Sequence, residues 1–187
     1  MQKLEQLYEG KAKKVFKTDD PKLYIVDYKD DATAFNGEKK GTIASKGVVN
    51  NKMSAIIFKQ LEERGVPTHL VKLLSDRETL VKAVRILIIR NVAAGSFSQR
   101  YGVEEGTELA KTVLEFSYKN DALGDPLIND DHILALRLAT QEQLDTVRKY
   151  AFMVNDFLKE FFLKSDLRLI DFKIEFGECD GEIILAD

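Results

Sequence analysis

Lys173, Glu175 and Asp187, near the end of the chain, have the types and spacing for phosphate chemistry. In the extended stretch LIDFKIEFGECDGEIILAD, Ile170, Phe172, Ile174 and Phe176 fall on one face and Asp171, Lys173 and Glu175 on the other. Asp180-Gly181 suits a type I′ turn, whose two central residues both take positive φ, and Ile183-Ile184-Leu185 then returns antiparallel. This hairpin predicts Asp187 close to Lys173 and Glu175. Two carboxylates on rigid strands offer hard oxygens to Mg²⁺, and the lysine offers a cation to phosphate, as a metal-nucleotide site requires. A solvated strand face with cross-strand ion pairs would use the same residues.

A second group lies near the N-terminus. Glu9-Gly10-Lys11-Ala12-Lys13-Lys14 reads as a turn between strands at Leu7-Tyr8 and Val15-Phe16, with residues 23–28 as the third strand of a small antiparallel sheet. Gly10 and Ala12 let the backbone approach a ligand, and Lys11 and Lys13 could neutralise phosphate oxygens. The pattern is neither a Walker loop nor a GxGxxG, and a solvated hairpin tip carries the same residues. Arg90 ends the apolar strand 84–92 and, if buried, needs a carboxylate or a ligand. Ser96 opens a helix after Ala93-Ala94-Gly95, where N–H groups and a hydroxyl converge as on an anion, and Arg100 shares its face. Serine acting as a plain N-cap is the simpler local reading. Strand 112–119 leads into the loop 120–126, whose Asp121 and Asp125 could hold a cation or simply make a turn. Pro126 predicts extended geometry at Asp125.

The elements that position these groups follow from periodicity and caps. Residues 30–42 are dense in turn formers and read as a loop. A helix from Ser45 carries Val48, Met53, Ile56, Ile57 and Leu61 as its inward stripe, with Met53 in the core, and stops at Gly65. Residues 68–71 read as a strand with His69 in a structural role. Ser75-Asp76-Arg77-Glu78 reads as a capping box opening a short helix to about Lys82, and residues 131–138 as another short helix. Thr140-Gln141-Glu142-Gln143 caps a long helix to about Leu163, with Leu144, Val147, Ala151, Val154, Leu158 and Phe161 inward.

The 187 residues, 44% hydrophobic, can bury a core in one domain or two lobes, with a lobe boundary near residues 84–92. A net charge of -3 gives no global attraction to nucleic acid or anionic membrane, so basic residues must act locally. The single Cys179 excludes an internal disulfide and a cysteine-rich zinc site, in keeping with a reducing cytoplasm. No apolar run approaches the ~18 residues of a membrane span.

LYEGKAKKVF, DDATAFNGEKK, KGVVNN, RNVAAGSFSQR, YKNDALGDPLIND and LIDFKIEFG, in this order, closely resemble the bacterial phosphoribosylaminoimidazole-succinocarboxamide synthase (SAICAR synthetase) family over residues 7–187. The resemblance implies a two-lobed α+β fold related to protein kinases, with a small antiparallel-sheet lobe over 1–86, a larger α+β lobe over 87–187, and ATP between them. It implies an ATP-dependent ligase of de novo purine biosynthesis that joins carboxyaminoimidazole ribonucleotide (CAIR) to L-aspartate, with Mg²⁺ and through an acyl phosphate. Its implied setting is a cytoplasmic homo-oligomer without nucleic-acid or membrane partners. Gly10, Lys11, Ala12 and Lys13 match the family's phosphate-covering loop, and Glu175 and Asp187 its Mg²⁺-nucleotide carboxylates. Lys173 matches a position beside the reacting groups and Lys119 one near the nucleotide. Lys11, Lys13 and Lys173 thereby become the catalytic cations. Arg90, Ser96 and Arg100 match ribonucleotide-binding positions, and Asp125 lies in the matching acidic loop.

Two departures stand out. The family carries an Ile-Pro-Leu-Glu-like stretch at the hinge that holds adenine, whereas here Ile86 runs into Leu87 and the segment is about four residues short. The family also continues past the aspartate matching Asp187, with a Glu-Ile/Phe-Ser-Pro-Asp motif, a substrate-binding arginine and further helices. A small-molecule kinase on the same scaffold and an inactive nucleotide-binding remnant are the competing readings.

Overall fold

Alternating and continuous apolar runs pair into two antiparallel five-stranded sheets, one in each of the units Met1–Val84 and Arg85–Asp187. The structure is a computed structural model that describes residues 1–34, 39–83, 85–91, 96–104, 106–118, 120 and 123–187.

In the first unit the sheet has the order β1(Lys3–Glu9), β2(Lys13–Thr18), β3(Leu23–Tyr28), β7(Glu78–Lys82), β6(Leu70–Leu73). Ile25, Val26 and Tyr28 of β3 and Leu80 and Val81 of β7 are buried, as are Ala55, Phe58 and Leu61 of helix α1(Lys46–Glu62), which packs against β3 and β6. Residues 30–42, expected as a loop, instead contain the hairpin β4(Asp31–Ala34) and β5(Lys39–Thr42), in register from Asp31↔Thr42 to Ala34↔Lys39. Phe35, Asn36 and Gly37 lie outside the described residues.

Two other expectations fail here. Residues 75–82 form no helix. The Ser75 hydroxyl does accept N–H bonds from Arg77 at 3.2 Å and Glu78 at 3.1 Å, but this local bond closes the turn into β7. Serine makes the same contact in a turn as at a helix cap, and β7 is then held by pairing with β3 and β6. The inward face of α1 is also displaced. Met53 is 40% and Ile56 49% exposed, while Gly47, Asn51, Ala55, Phe58 and Leu61 are buried.

Asn51 can be buried because its amide donates to the carbonyls of Ser75 and Asp76, both at 3.1 Å, and accepts from the Thr79 hydroxyl. Ser45, at φ 63°, makes no side-chain cap of α1. The carboxylate of Asp30 supplies one from a distance, accepting the Gly47 N–H at 2.8 Å and both Arg77 η-nitrogens at 2.9 and 2.7 Å. The Arg77 guanidinium and then the Gly47 N–H hold the Asp30 carboxyl at about 2, below its usual 3.8.

The second unit has the sheet order β10(Leu127–Ile128), β9(Leu114–Ser117), β8(Arg85–Asn91), β11(Phe172–Cys179), β12(Glu182–Leu185). The continuously apolar strand expected at 84–92 is the central β8, paired on both edges. Helices α2(Ser96–Tyr101), α3(Asp130–Ala135) and α4(Gln141–Leu163) complete it. Thr140 and Gln143 form the expected reciprocal cap of α4, with bonds of 3.2 and 2.9 Å. Leu144, Val147, Ala151, Val154 and Leu158 are buried as expected, joined by Phe157. Tyr150 of α4 stacks on the fully buried Phe176 at 6.3 Å, fixing the core face of β11.

A Cβ on Gly47 would overlap the Tyr28 carbonyl oxygen, so Gly47→Ala is expected to lower unfolding free energy by about 2–4 kcal/mol in urea titrations. The folded Asp30 pKa lies below the unfolded one, so the clamp stabilises above about pH 4 and is lost as pH falls towards 2. The stability difference between the parent and Asp30→Asn, present at neutral pH, should therefore shrink across that window in urea titrations at stepped pH.

Candidate active site

The β11–β12 hairpin closes as its sequence predicts, with Asp180 at φ 50°, Gly181 at φ 86° and Cys179 opposite Glu182. From that turn the register runs Glu178↔Ile183, Gly177↔Ile184, Phe176↔Leu185. Continued without interruption, it would set Ala186 against Glu175 and Asp187 against Ile174, which is buried. The ladder does not continue in that way. The N–H groups of Ala186, at 2.8 Å, and Asp187, at 3.3 Å, both donate to the carbonyl of Glu175, and the Glu175 N–H donates to the carbonyl of Asp187 at 2.7 Å. Two residues thus oppose one, the bonding of a β-bulge, a device that re-aims side chains next to active sites. Ala186 is buried and Asp187 exposed.

On β11, Ile174 and Phe176 face the core and Lys173 and Glu175 lie on the other face, as expected. Ile170 departs from this face. It precedes the strand and is exposed. Lys173 Nζ stands 2.8 Å from Glu175 Oε1, with the Glu175 side chain only 12% exposed.

Across the sheet, Lys173 is in register with Arg90 of β8, and Arg90 with Glu115 of β9. The backbone therefore places Arg90 between a carboxylate position and a lysine position, while its side chain lies outside the described residues. Ser96 begins α2, and its side chain likewise lies outside them. Arg100 Nη2 is 2.7 and 2.6 Å from the two oxygens of Glu115, so the expected anion-binding guanidinium is engaged by a carboxylate of the same unit. Lys119 lies outside the described residues.

Asp125 is not extended. It takes φ 51°, a left-handed conformation that aspartate tolerates, and its carboxylate accepts the Asn120 N–H at 2.8 Å. Ser117, buried on β9, donates to the Asp125 carbonyl at 2.6 Å and ties the loop to the sheet.

In the first unit, Gly10 starts a tight loop whose Gly10 N–H donates to the Lys13 carbonyl at 2.8 Å. Lys13 is paired with Tyr28 and places Nζ 5.3 Å from that ring's centroid, while Lys11 lines an open cleft of about 660 Å³. Glu9, Lys29, Asp31 and Thr42 share the cleft walls. Lys29, Glu115 and Ser117 carry no local sequence signal. Their roles come from pairings 20 and 15 residues away, or from a bond to a loop 8 residues on, which no local motif marks.

Glu175 and Asp187 suit Mg²⁺, which takes one or two carboxylates and completes its shell with phosphate and water. Among the described residues, no group of three or more His, Cys, Asp or Glu side chains could form a protein-only cage.

A SAICAR synthetase family profile matches residues 6–187. The phosphoribosylaminoimidazole-succinocarboxamide synthase of Lachnoclostridium phytofermentans is 61% identical over 191 positions, covering 100% of this chain and 81% of the relative. That of Caldanaerobacter subterraneus subsp. tengcongensis is 59% identical with the same coverage.

Among solved structures, the Ehrlichia chaffeensis synthase superposes with TM-score 0.90 at 39% identity over 98% of this chain and 81% of that one. A SAICAR synthetase in complex with ADP gives TM-score 0.89 at 40% identity over 98% and 79%. The Saccharomyces cerevisiae SAICAR synthase complexed with SAICAR, at 21% identity and TM-score 0.80, agrees in fold.

Glu175→Ala is expected to unfold with the parent's cooperativity but to lose the metal dependence of nucleotide affinity. In calorimetric titrations, Mg²⁺ should tighten ADP binding by about tenfold or more in the parent and less than about twofold in the variant.

Proposed function

We propose a function on the premise that the chain belongs to the SAICAR synthetase family, as its match over residues 6–187 shows. It is an ATP-dependent ligase of de novo purine biosynthesis that joins CAIR and L-aspartate to give SAICAR, ADP and phosphate. The observation that carries this to particular residues is the bulged backbone pairing of Glu175 with Asp187, with Lys173 at 2.8 Å from the Glu175 carboxylate.

A carboxylate does not acylate an amine in water, so the carboxylate of CAIR must first be activated. Phosphoryl transfer from ATP gives an acyl phosphate and ADP. The neutral amine of L-aspartate then attacks the acyl carbon, and phosphate leaves. Such transfer depends on positioned charge more than on covalent help from the protein, and no nucleophilic side chain is assigned.

In this reading Gly10 and Ala12 allow close backbone approach to the phosphates, and Lys11 and Lys13 balance their oxygens. Glu175 and Asp187 hold Mg²⁺, which when bound neutralises charge on the phosphates. Lys173 serves the reacting oxygens from beside Glu175. Arg90, Ser96 and Arg100 hold the ribonucleotide, whose phosphate must compete with Glu115 for Arg100. Lys119 lies near the nucleotide, and Asp125 contributes through the loop that its Asn120 bond shapes. The same reading takes the chain as a cytoplasmic homo-oligomer. The lone Cys179 supports a reducing compartment.

ADP formation from MgATP by the purified chain is expected only with CAIR and L-aspartate together, and Lys11→Ala and Glu175→Ala should each lower it by about tenfold or more. Full turnover without L-aspartate would instead establish a kinase.

A further inference from the structure

Lys29 stands where three segments of the first unit meet, and it bonds to each. Its N–H donates to the carbonyl of Ala12, inside the Gly10–Lys13 loop, at 2.8 Å. Its Nζ lies 2.6 Å from Glu9 Oε1, at the end of β1, and 2.7 Å from Asp31 Oδ2, at the start of β4. Lys14 approaches the other Glu9 oxygen at 3.8 Å. The Lys29 side chain is 17% exposed, against 40% for Glu9 and 49% for Asp31, so the ammonium is enclosed by its partners.

Fixing a long, flexible lysine costs side-chain entropy, and exposed ion pairs return little stability. What the arrangement does achieve is geometric. The β2–β3 pairing holds the C-terminal stem of the loop at Lys13↔Tyr28. The backbone N–H of residue 29 extends that pairing to Ala12, and the Lys29 ammonium holds the N-terminal stem through Glu9 and joins it to the β4–β5 hairpin. Glu9, Lys11, Lys29 and Asp31 line the same cleft, two carboxylates and two ammonium groups, so Lys11 presents its charge in a locally balanced field. The Lys29 hydrogen bond, against slight burial, lowers the Glu9 carboxyl, and bonds to Asp31 and then Glu9 raise the Lys29 ammonium.

We propose that Lys29 is a positioning residue for nucleotide phosphate: by tying Glu9 to Asp31 through its ammonium, it sets the loop in the geometry from which Lys11 and Lys13 act. The inference rests on the reading of residues 10–13 as a phosphate-covering loop, and it adds a residue that the motif does not contain.

The test is ADP affinity in the presence of Mg²⁺, by calorimetric titration of the full chain, alongside thermal midpoints. Lys29→Met should weaken ADP binding about tenfold and Glu9→Gln about threefold, while Lys29→Arg stays within about twofold of the parent. Thermal midpoints of the three variants should stay within about 3 °C of the parent. A lowered midpoint with parental ADP affinity in Lys29→Met would make Lys29 merely structural and overturn the proposal. If Lys29→Met fails to fold, Glu9→Gln decides, and parental affinity there overturns it. Tighter ADP binding by Glu9→Gln would mean that Lys29 acts on phosphate directly, which also overturns it. Lys11→Ala run in parallel separates the two levels. Weakened binding in Lys11→Ala with parental affinity in the other variants defeats the positioning role alone, whereas parental affinity in Lys11→Ala defeats the loop reading and the proposal with it.

Discussion

The candidate site depends on one backbone constraint: the carbonyl of Glu175 accepts N–H groups from two successive residues, Ala186 and Asp187. Side chains alternate strictly along a regular strand, so a one-residue change of register moves a group from one face of the sheet to the other. The Asp180-Gly181 turn fixes the register, and buried Phe176 and Leu185 lock it from the core side. In that register an unbulged strand would direct Asp187 towards the row of Ile174. The extra residue breaks the alternation where a second carboxylate is required, and burial of Ala186 leaves Asp187 outside the core.

A second regularity concerns charge. Two cations that the reading assigns to substrates have carboxylates at hand, Lys173 beside Glu175 and Arg100 beside Glu115, and so does the positioning residue Lys29, between Glu9 and Asp31. Positive charge is therefore local and short-ranged, consistent with a chain whose net charge is -3. At Lys173 and Arg100 an incoming phosphate must exchange with these carboxylates. Such exchange favours ligands that bring comparable charge density and several oxygens, as nucleotide and ribonucleotide phosphates do.

Features set by local bonds were legible in the sequence. The Thr140 cap and the 3.6-residue apolar period defined α4, and Asp180-Gly181 with strand alternation defined the hairpin. Features set by distant partners were not. Ser75 makes its local N–H bonds as expected, yet β3 and β6 decide that a strand follows. The inward face of α1 includes Gly47 and Asn51, because a glycine allows the Tyr28 carbonyl to approach and an asparagine can satisfy carbonyls from the turn before β7. A hydrophobic count cannot find such a face. At Asp125 the preference for extended geometry before proline yields to the bond between its carboxylate and the Asn120 N–H, which no local pattern shows. At the candidate site, residue types and their order named Lys173, Glu175 and Asp187, while the bulge that relates them depends on one backbone bond more than alternation supplies.

The most direct measurement is an anomalous difference map from crystals of the chain grown with ADP and Mn²⁺ in place of Mg²⁺. A metal peak is expected about 2.0–2.4 Å from a carboxylate oxygen of both Glu175 and Asp187, shared with a phosphate oxygen. A peak held by neither carboxylate, or by one of them alone, would contradict it.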